Sequence, residues 1–388
     1  MKKISRKQRE RDVKLGLDNR RRKKRRTSSE TDSSGGSGDQ STNNWIENYR
    51  DSGLNVSISK QKRITIYLPE TMNFCTEYDS TILYVLAIRR LADTNMGSSY
   101  KTYKLASVNF DNLKTISTSA ALVLTAELSK WDDAIRQRLR PKVDKWDPEI
   151  LKKFTDLGFF DLFQNPPLES TSSGKQSSVK VVKYIKGRCG DSKKTRILKK
   201  ELTNIVGDEI SKWTFLRCGL DEAITNVSHH AYPDNKGFSE EDKNWYLTGS
   251  YNNDTKQLKI VFYDQGISIP KSLPSSDVWE KALDFFSKIK IPIADRKKDE
   301  VLLRAAVELD RTSTEETDRG KGLQDLLEFI RHREEGYLSI ISSKGLFKLT
   351  VHNGKETIKT EHFNNGVSGT LIIWSAVLAV KKMQSTNL

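Results

Sequence analysis

The sequence predicts an α/β chain of two folded units behind a basic tail, and three observations lead there. Period-two apolar alternation and the three-and-four spacing of helices take turns from about residue 58 to residue 380. Two polar stretches, TSSETDSSGGSGDQSTN at 27–43 and ESTSSGKQ within 168–177, have the composition of linkers. The charge is also unevenly spread: of a formal +15 over 388 residues, residues 1–26 hold 14 Lys or Arg against Glu10, Asp12 and Asp18, a net of +11, leaving +4 for the remainder. The expected organisation is a tail and linker at 1–57, a first unit at 58–167, a linker at 168–177 and a second unit at 178–388.

RRRKKRR, at 20–26, cannot bury enough apolar surface to fold and is expected to be disordered. Such a segment suits a polyanion, whether nucleic-acid phosphate, acidic lipid or acidic protein; equally it is a solvating extension, since no aromatic is interleaved to stack on bases. In the first unit RITIYLP reads as a strand, STILYVLAIRRLA as an amphipathic helix and YKLASVNF as a second strand. In ISTSAALVLTAELSKW, at 116–131, Ser117, Thr118 or Ser119 can cap a helix carrying Leu122, Leu124 and Leu128. LKKFTDLGFFDLF adds a short helix that turns at Gly158.

In the second unit VKVVKYIKG suggests a strand that leads into a helix at about 193–206. Trp213, Leu216, Leu220, Ala223 and Val227 recur at spacings of three and four, which predicts a helix over about 208–231. NWYLTGSYNNDTKQLKIVFYD forms two strands around a polar turn, an antiparallel hairpin. Helical patterns come next at 277–289 and 297–310, then the hydrophilic RTSTEETDR. YLSIISS, LFKLTVH and GTLIIW complete a sheet.

On the 208–231 helix Glu222, Asn226 and His230 form a row four residues apart beside the apolar stripe, placing them on a cleft wall. A carboxylate and a carboxamide one turn apart can hold water, a hard cation and phosphate oxygens together. LKIVFYDQGISIP delivers Asp264 to a strand end and then breaks at Gly266 and Pro270; a carboxylate there can accept from an adenine amino group. In RGKGLQDLLEFI, Gly320 and Gly322 open a helix whose bare N–H groups can approach phosphates. Other chemistries find no support. There is no GxxxxGK[ST] P-loop, and GKGLQD does not complete a dinucleotide fingerprint. Cys75, Cys189 and Cys218 form no C-x-x-C pair, which argues against a disulfide framework and points to a reducing cytoplasmic compartment. No histidine has helical metal spacing; His229 and His230 point to different faces, so one is expected to be packed and the other solvated. Lys2 and Lys3 precede no apolar leader segment, and the longest apolar run, 371–380, is too short to span a bilayer.

In order and spacing, the stretches around Asn226, Asp264, Gly320 and Gly322, and GTLIIW resemble the N, G1, G2 and G3 boxes of the GHKL ATPase family. EAITNVSHHAY looks most like the anti-sigma-factor serine kinases. The resemblance spans roughly 198–380 and implies a Bergerat-type α/β sandwich binding ATP with Mg²⁺. It assigns Asn226 to metal and phosphate, Glu222 to the general base, Asp264 to adenine, and Gly266, Gly320, Gly322 and Thr370 to the pocket walls. The G1 box departs from DxGxGIP, with Ser268 in place of the second glycine; if that position needs positive φ, serine costs about 1–2 kcal/mol there. The 49 residues between Pro270 and Gly320 correspond to the ATP lid, longer than the short lids of anti-sigma kinases. The strand, helix, strand, capped-helix order over about 60–165 resembles a STAS-like domain. That implies a protein partner, although the family's D-S-S-G would fall on Ser117, Thr118, Ser119 and Ala120, without its acid or glycine. Ser119 would match the phosphorylated serine; the cluster also reads as a helix cap. ATP hydrolysis, serine phosphorylation in a partner-switching circuit and nucleotide sensing with little turnover all stay open, and a homodimer is compatible with the resemblance.

Deleting residues 1–26 should abolish sequence-independent, steeply salt-sensitive binding to DNA or RNA while taking the formal charge from +15 to +4. Filter binding across a salt series checks this. An unchanged salt slope after deletion would move the positive surface onto the folded units.

Overall fold

A computed structural model describes residues 44–95, 103–131, 133–138, 141–164, 178–208, 210–234, 237–276, 279–312 and 323–378. The basic tail and the first linker lie outside the described residues, as does the second linker at 168–177. The chain is mixed α/β with several sheets. Structure begins earlier than the expected boundary near 58. A short helix, α1 (Asn44–Asp51), buries Trp45 and Ile46, and β1 (Val56–Ile58) pairs with β2 (Arg63–Tyr67). The sequence offers few apolar anchors in NWIENYRD; the helix is held by tertiary contacts, including the Arg90 guanidinium 4.5 Å above the Trp45 ring.

The other neighbour of β2 is β4 (Lys104–Asn109), which runs parallel to it and is reached through α2 (Tyr78–Asn95). Two short parallel strands, β3 (Thr71–Met72) and β5 (Thr115–Ile116), lead into α3 (Thr118–Ser129). Of the three candidate caps it is Ser117 that serves, accepting from Ala120 N at 3.2 Å. Every residue of α3 from Thr118 to Leu128 is buried, so this helix has packing partners all round. After α4 (Asp133–Arg138) comes α5 (Pro148–Leu157), capped by Asp147 and ended by Gly158 at φ 82, where the sequence placed the turn.

The larger sheet is antiparallel with strand order β10-β11-β9-β8-β6, and β7 also pairs with β8. Its members are β6 (Val179–Val181), β7 (Ile185–Arg188), β8 (Asn244–Asn252), β9 (Gln257–Asp264), β10 (Glu335–His352) and β11 (Lys355–Val377). The β8–β9 hairpin is the one that the alternation predicts. YLSIISS and LFKLTVH turn out to be one strand, irregular between Ser342 and Gly345, and GTLIIW is the second half of a strand that begins at Lys355. The first half of β11 carries no apolar alternation because much of it faces water, with Ile358 47% exposed.

Helices cover both faces of this sheet. On one side lie α6 (Thr195–Val206), α7 (Trp213–Asn226), α10 (Asp299–Thr312) and α11 (Gln324–Arg331); α8 (Ile269–Ser272) and α9 (Trp279–Lys288) precede α10 in the chain. On the other side lie α2 and α3 of the N-terminal unit. Two cores result, one on each face. Val261 and Tyr263 of β9 join the N-terminal core, which also holds Trp45 and Ile46, whereas Leu258, Ile260 and Phe262 join the C-terminal core under α7 and α11. Likewise Leu371 and Ile373 of β11 face the N-terminal core, and Ile372 and Trp374 the C-terminal one.

The seam with the N-terminal unit contains one buried charge cluster. Glu127 on α3 is 3% exposed and accepts from Arg89 Nε at 2.7 Å, from the Tyr263 hydroxyl at 3.1 Å and from Gln265 Nε2 at 2.7 Å. Burial pushes its carboxyl up, but Arg89 and the donors outweigh burial and hold it below the ordinary value. Arg89→Met would leave that carboxylate without its counter-charge, and the expected cost is about 3–5 kcal/mol. Urea denaturation of the two proteins measures it. A loss below about 0.5 kcal/mol, the size of a surface change, would show that the seam does not depend on the pair.

Candidate functional site

The segment after α7 departs from ordinary helix. The helix begins at Trp213 rather than near 208, because Lys212 takes a left-handed φ of 61 that a helix cannot include. It ends at Asn226, and Val227–Ala231 form a π turn. Of the predicted stripe Leu216, Leu220, Ala223 and Val227 are buried, while Trp213 is half-buried. The wider π turn rotates the facing of the residues it carries, and His229 and His230 are both exposed rather than one packed and one solvated.

A cavity of about 350 Å³ opens where this helix meets the end of β9. Glu222, Asn226 and His230 line it from the helix, Asp264 from the strand end and Thr370 from β11. Asn226 Nδ2 donates to Glu222 Oε1 at 2.8 Å, so the helical spacing read from the sequence becomes a direct contact. Thr370 lies opposite Asp264 in the β9–β11 register. The remaining wall is mostly apolar, with Phe262 and Ile372 on the sheet side and Leu273, Ala306 and Leu323 among the residues facing it. Those apolar members carried no sequence signal of their own, because each also reads as core. Gly320 and Gly322 lie outside the described residues.

Asp264 is 4% exposed. Burial raises its carboxyl to about 7, against opposing hydrogen bonds from the Gly266 N–H and from Thr370. The Gly266 N–H donates to Asp264 Oδ1 at 2.8 Å. Gly266 does not line this cavity but shapes it from behind: a Cβ there would lie 2.4 Å from Ala231 O, so the glycine lets the π turn touch the strand end. The Ile267 N–H donates to the same Ala231 oxygen at 2.8 Å. Gly369 has φ 73, and a Cβ on it would sit 2.1 Å from the Asp264 carbonyl oxygen, so only glycine can precede Thr370. Ser342, which no sequence pattern singles out, backs this corner. Its hydroxyl accepts from the Ile269 N–H at 2.9 Å, donates to Gly369 O at 3.1 Å and lies 2.9 Å from Thr370 Oγ1.

Magnesium and a nucleotide are compatible with these residues on their donor chemistry. Glu222 and Asn226 supply hard oxygens of the kind magnesium takes in ones and twos alongside substrate phosphates. No cluster of three His, Cys, Asp or Glu side chains suited to a metal occurs among the described residues, so a metal here would depend on the nucleotide for further ligands. Ser268, in the pocket wall, is 4% exposed and its Oγ has no hydrogen-bond partner among the described residues.

Ser268 adopts φ 79 and ψ 151, so the position where the sequence departs from glycine does require positive φ. This region is nearly glycine-only, and a side chain in it costs about 1–3 kcal/mol. Ser268→Gly removes both the strain and an unpaired buried hydroxyl, against about 0.5–1 kcal/mol of added chain entropy in the unfolded state. A net stabilisation of about 1 kcal/mol is expected by urea denaturation. A destabilised glycine variant would contradict the strain.

No protein-family model and no curated protein matches this chain, so the functional reading rests on the residues and their geometry.

Proposed function

We propose that the cavity binds ATP with Mg²⁺ and that the chain is a GHKL-type ATPase or phosphoryl-transfer protein whose N-terminal unit is STAS-like. The observation that carries this reading is the convergence of Glu222, Asn226, Asp264 and Thr370 on one cavity from three distant segments. The antiparallel sheet with α7 and α11 packed on the face that bears the cavity, and the four boxes in order in the sequence, support it further.

The division of labour follows from the chemistry of each group. The Asp264 carboxylate accepts from the adenine amino group, which guanine lacks at that ring position, so ATP is preferred to GTP. Phe262, Ile372 and Leu323 exclude water around the base. Asn226 holds Glu222 Oε1 through its amide N–H and keeps its own oxygen for the metal. Glu222 takes the proton from the attacking hydroxyl or water. Bound magnesium would neutralise charge on the phosphates.

Water or a partner protein suits the role of acceptor better than Ser119 of the same chain. Ser119 is 3% exposed, and its Oγ lies 3.0 Å from Ser117 Oγ at the start of α3. The adjacent Thr118 hydroxyl is 2.9 Å from Ser250 Oγ across the seam. Phosphorylating Ser119 would require α3 to leave the sheet.

Asn226→Ala removes a half-buried side chain outside the apolar stripe, so the urea midpoint should hold while Mg·ATP binding weakens by about 1–3 kcal/mol. Glu222→Gln should still bind ATP but turn over at least about 10²-fold more slowly. Calorimetry and phosphate release read the two effects. Unchanged affinity in the first variant, or wild-type turnover in the second, would remove that residue from the site.

A further inference from the structure

A second cavity, of about 570 Å³, lies on the other side of the β9 end, where the N-terminal unit meets the sheet. Arg89 and Glu127 line it from α2 and α3, with Lys130 just beyond α3. Gln265 and Lys271 come from the segment after Asp264, and Lys344 from β10. None of these residues lines the first pocket.

Charge and hydrogen bonding both leave this cavity incomplete. Its cationic side chains are Arg89, Lys130, Lys271 and Lys344; its carboxylates are Glu127 and Asp242, a surplus of two positive charges. Glu127 pairs with Arg89, and Lys130 lies 3.9 Å from Asp242. Lys271 and Lys344 form no ion pair among the described residues, so the surplus falls on them. Gln265 is 4% exposed, and its Nε2 is held by Glu127 at 2.7 Å, which fixes the amide. The other amide atom, Oε1, has no hydrogen-bond partner among the described residues. A buried acceptor in this state favours any occupant that brings a donor. Lys271 and Lys344 are exposed and hydrated, so water serves them as it serves the oxygen; an anion adds the opposite charge that water lacks.

We propose that this cavity is a second ligand site for a small hydroxylated phosphomonoester. The phosphate, close to a dianion above pH 7, meets Lys271 and Lys344, and a hydroxyl donates to Gln265 Oε1. The volume is in the range of small-molecule sites. The inference stands on the seam alone and does not require that the first pocket bind a nucleotide.

The test uses the full chain at pH 8 with two probes of equal charge, glycerol 3-phosphate and ethyl phosphate, of which only the first carries free hydroxyls. Lysine acylation by acetic anhydride is mapped by mass spectrometry across a titration of each. The site predicts saturable protection of Lys271 and Lys344 by glycerol 3-phosphate, no protection of the exposed Lys297, and protection by ethyl phosphate about tenfold weaker. Lys271→Gln combined with Lys344→Gln should lose the calorimetric binding that Asn226→Ala retains. Because residues 1–26 are strongly basic, binding that persists unchanged in the double lysine variant would place the phosphate on the tail and overturn the proposal. So would absent or non-saturable protection, or equal protection by the two probes. Should the double variant fail to fold, the footprint on the unaltered chain decides.

Discussion

Burial on both faces of the larger sheet is the constraint that shapes the molecule. In β9 the run Val261, Phe262, Tyr263 alternates between two separate cores, and in β11 Leu371, Ile372, Ile373 and Trp374 do the same. An antiparallel sheet with one wet face would show polar residues at every second position. Here the N-terminal unit is therefore part of the sheet's burial, and the two units share a core instead of sitting side by side. That sharing carries Asp264 into the interior. Its strand ends between two packed layers, with the carboxyl buried at the edge of the first cavity.

Several local rules are broken within a few residues of that strand end. Asp264 is a buried acid, Gln265 and Ser268 each keep a polar atom with no partner among the described residues, Ser268 holds a glycine-type φ, and α7 gives way to a π turn beside them. Such departures concentrate where a chain is shaped for something other than stability. The buried Arg89–Glu127 cluster reaches the same place through Tyr263 and Gln265, so the N-terminal unit and the pocket wall are joined by hydrogen bonds as well as by packing.

Periodicity made much of this legible. The spacing of Leu216, Leu220, Ala223 and Val227 located the helix that carries Glu222 and Asn226, and the alternation in LKIVFYD delivered Asp264 to a strand end. Periodicity failed where burial comes from tertiary partners. Trp45 and Ile46 look like a linker until Arg90 and the N-terminal core are present. The polar half of β11 looks like a loop because its pairing with β10, and not its side chains, makes it a strand. Nothing in the sequence marked Glu127, Gln265 or Ser342, since their importance lies in contacts made across more than a hundred positions or at a strand's return. The adjacency of the first unit to the sheet's second face was likewise invisible, although contiguous apolar runs such as VFY and LIIW are its trace.

If the buried carboxyl of Asp264 receives the base of a nucleotide, binding and proton release must be linked. Burial holds the carboxyl at about 7, and an amino donor favours its charged form, so binding must lower that value and expel a proton. Titrating Mg·ATP at pH 7 in buffers of different ionisation enthalpy should therefore show release of a fraction of a proton. The release should fade by about pH 9, roughly two units above that value, and vanish in Asp264→Asn. Binding with no proton release, with proton uptake, or with the same release in the asparagine variant would contradict a base held by Asp264.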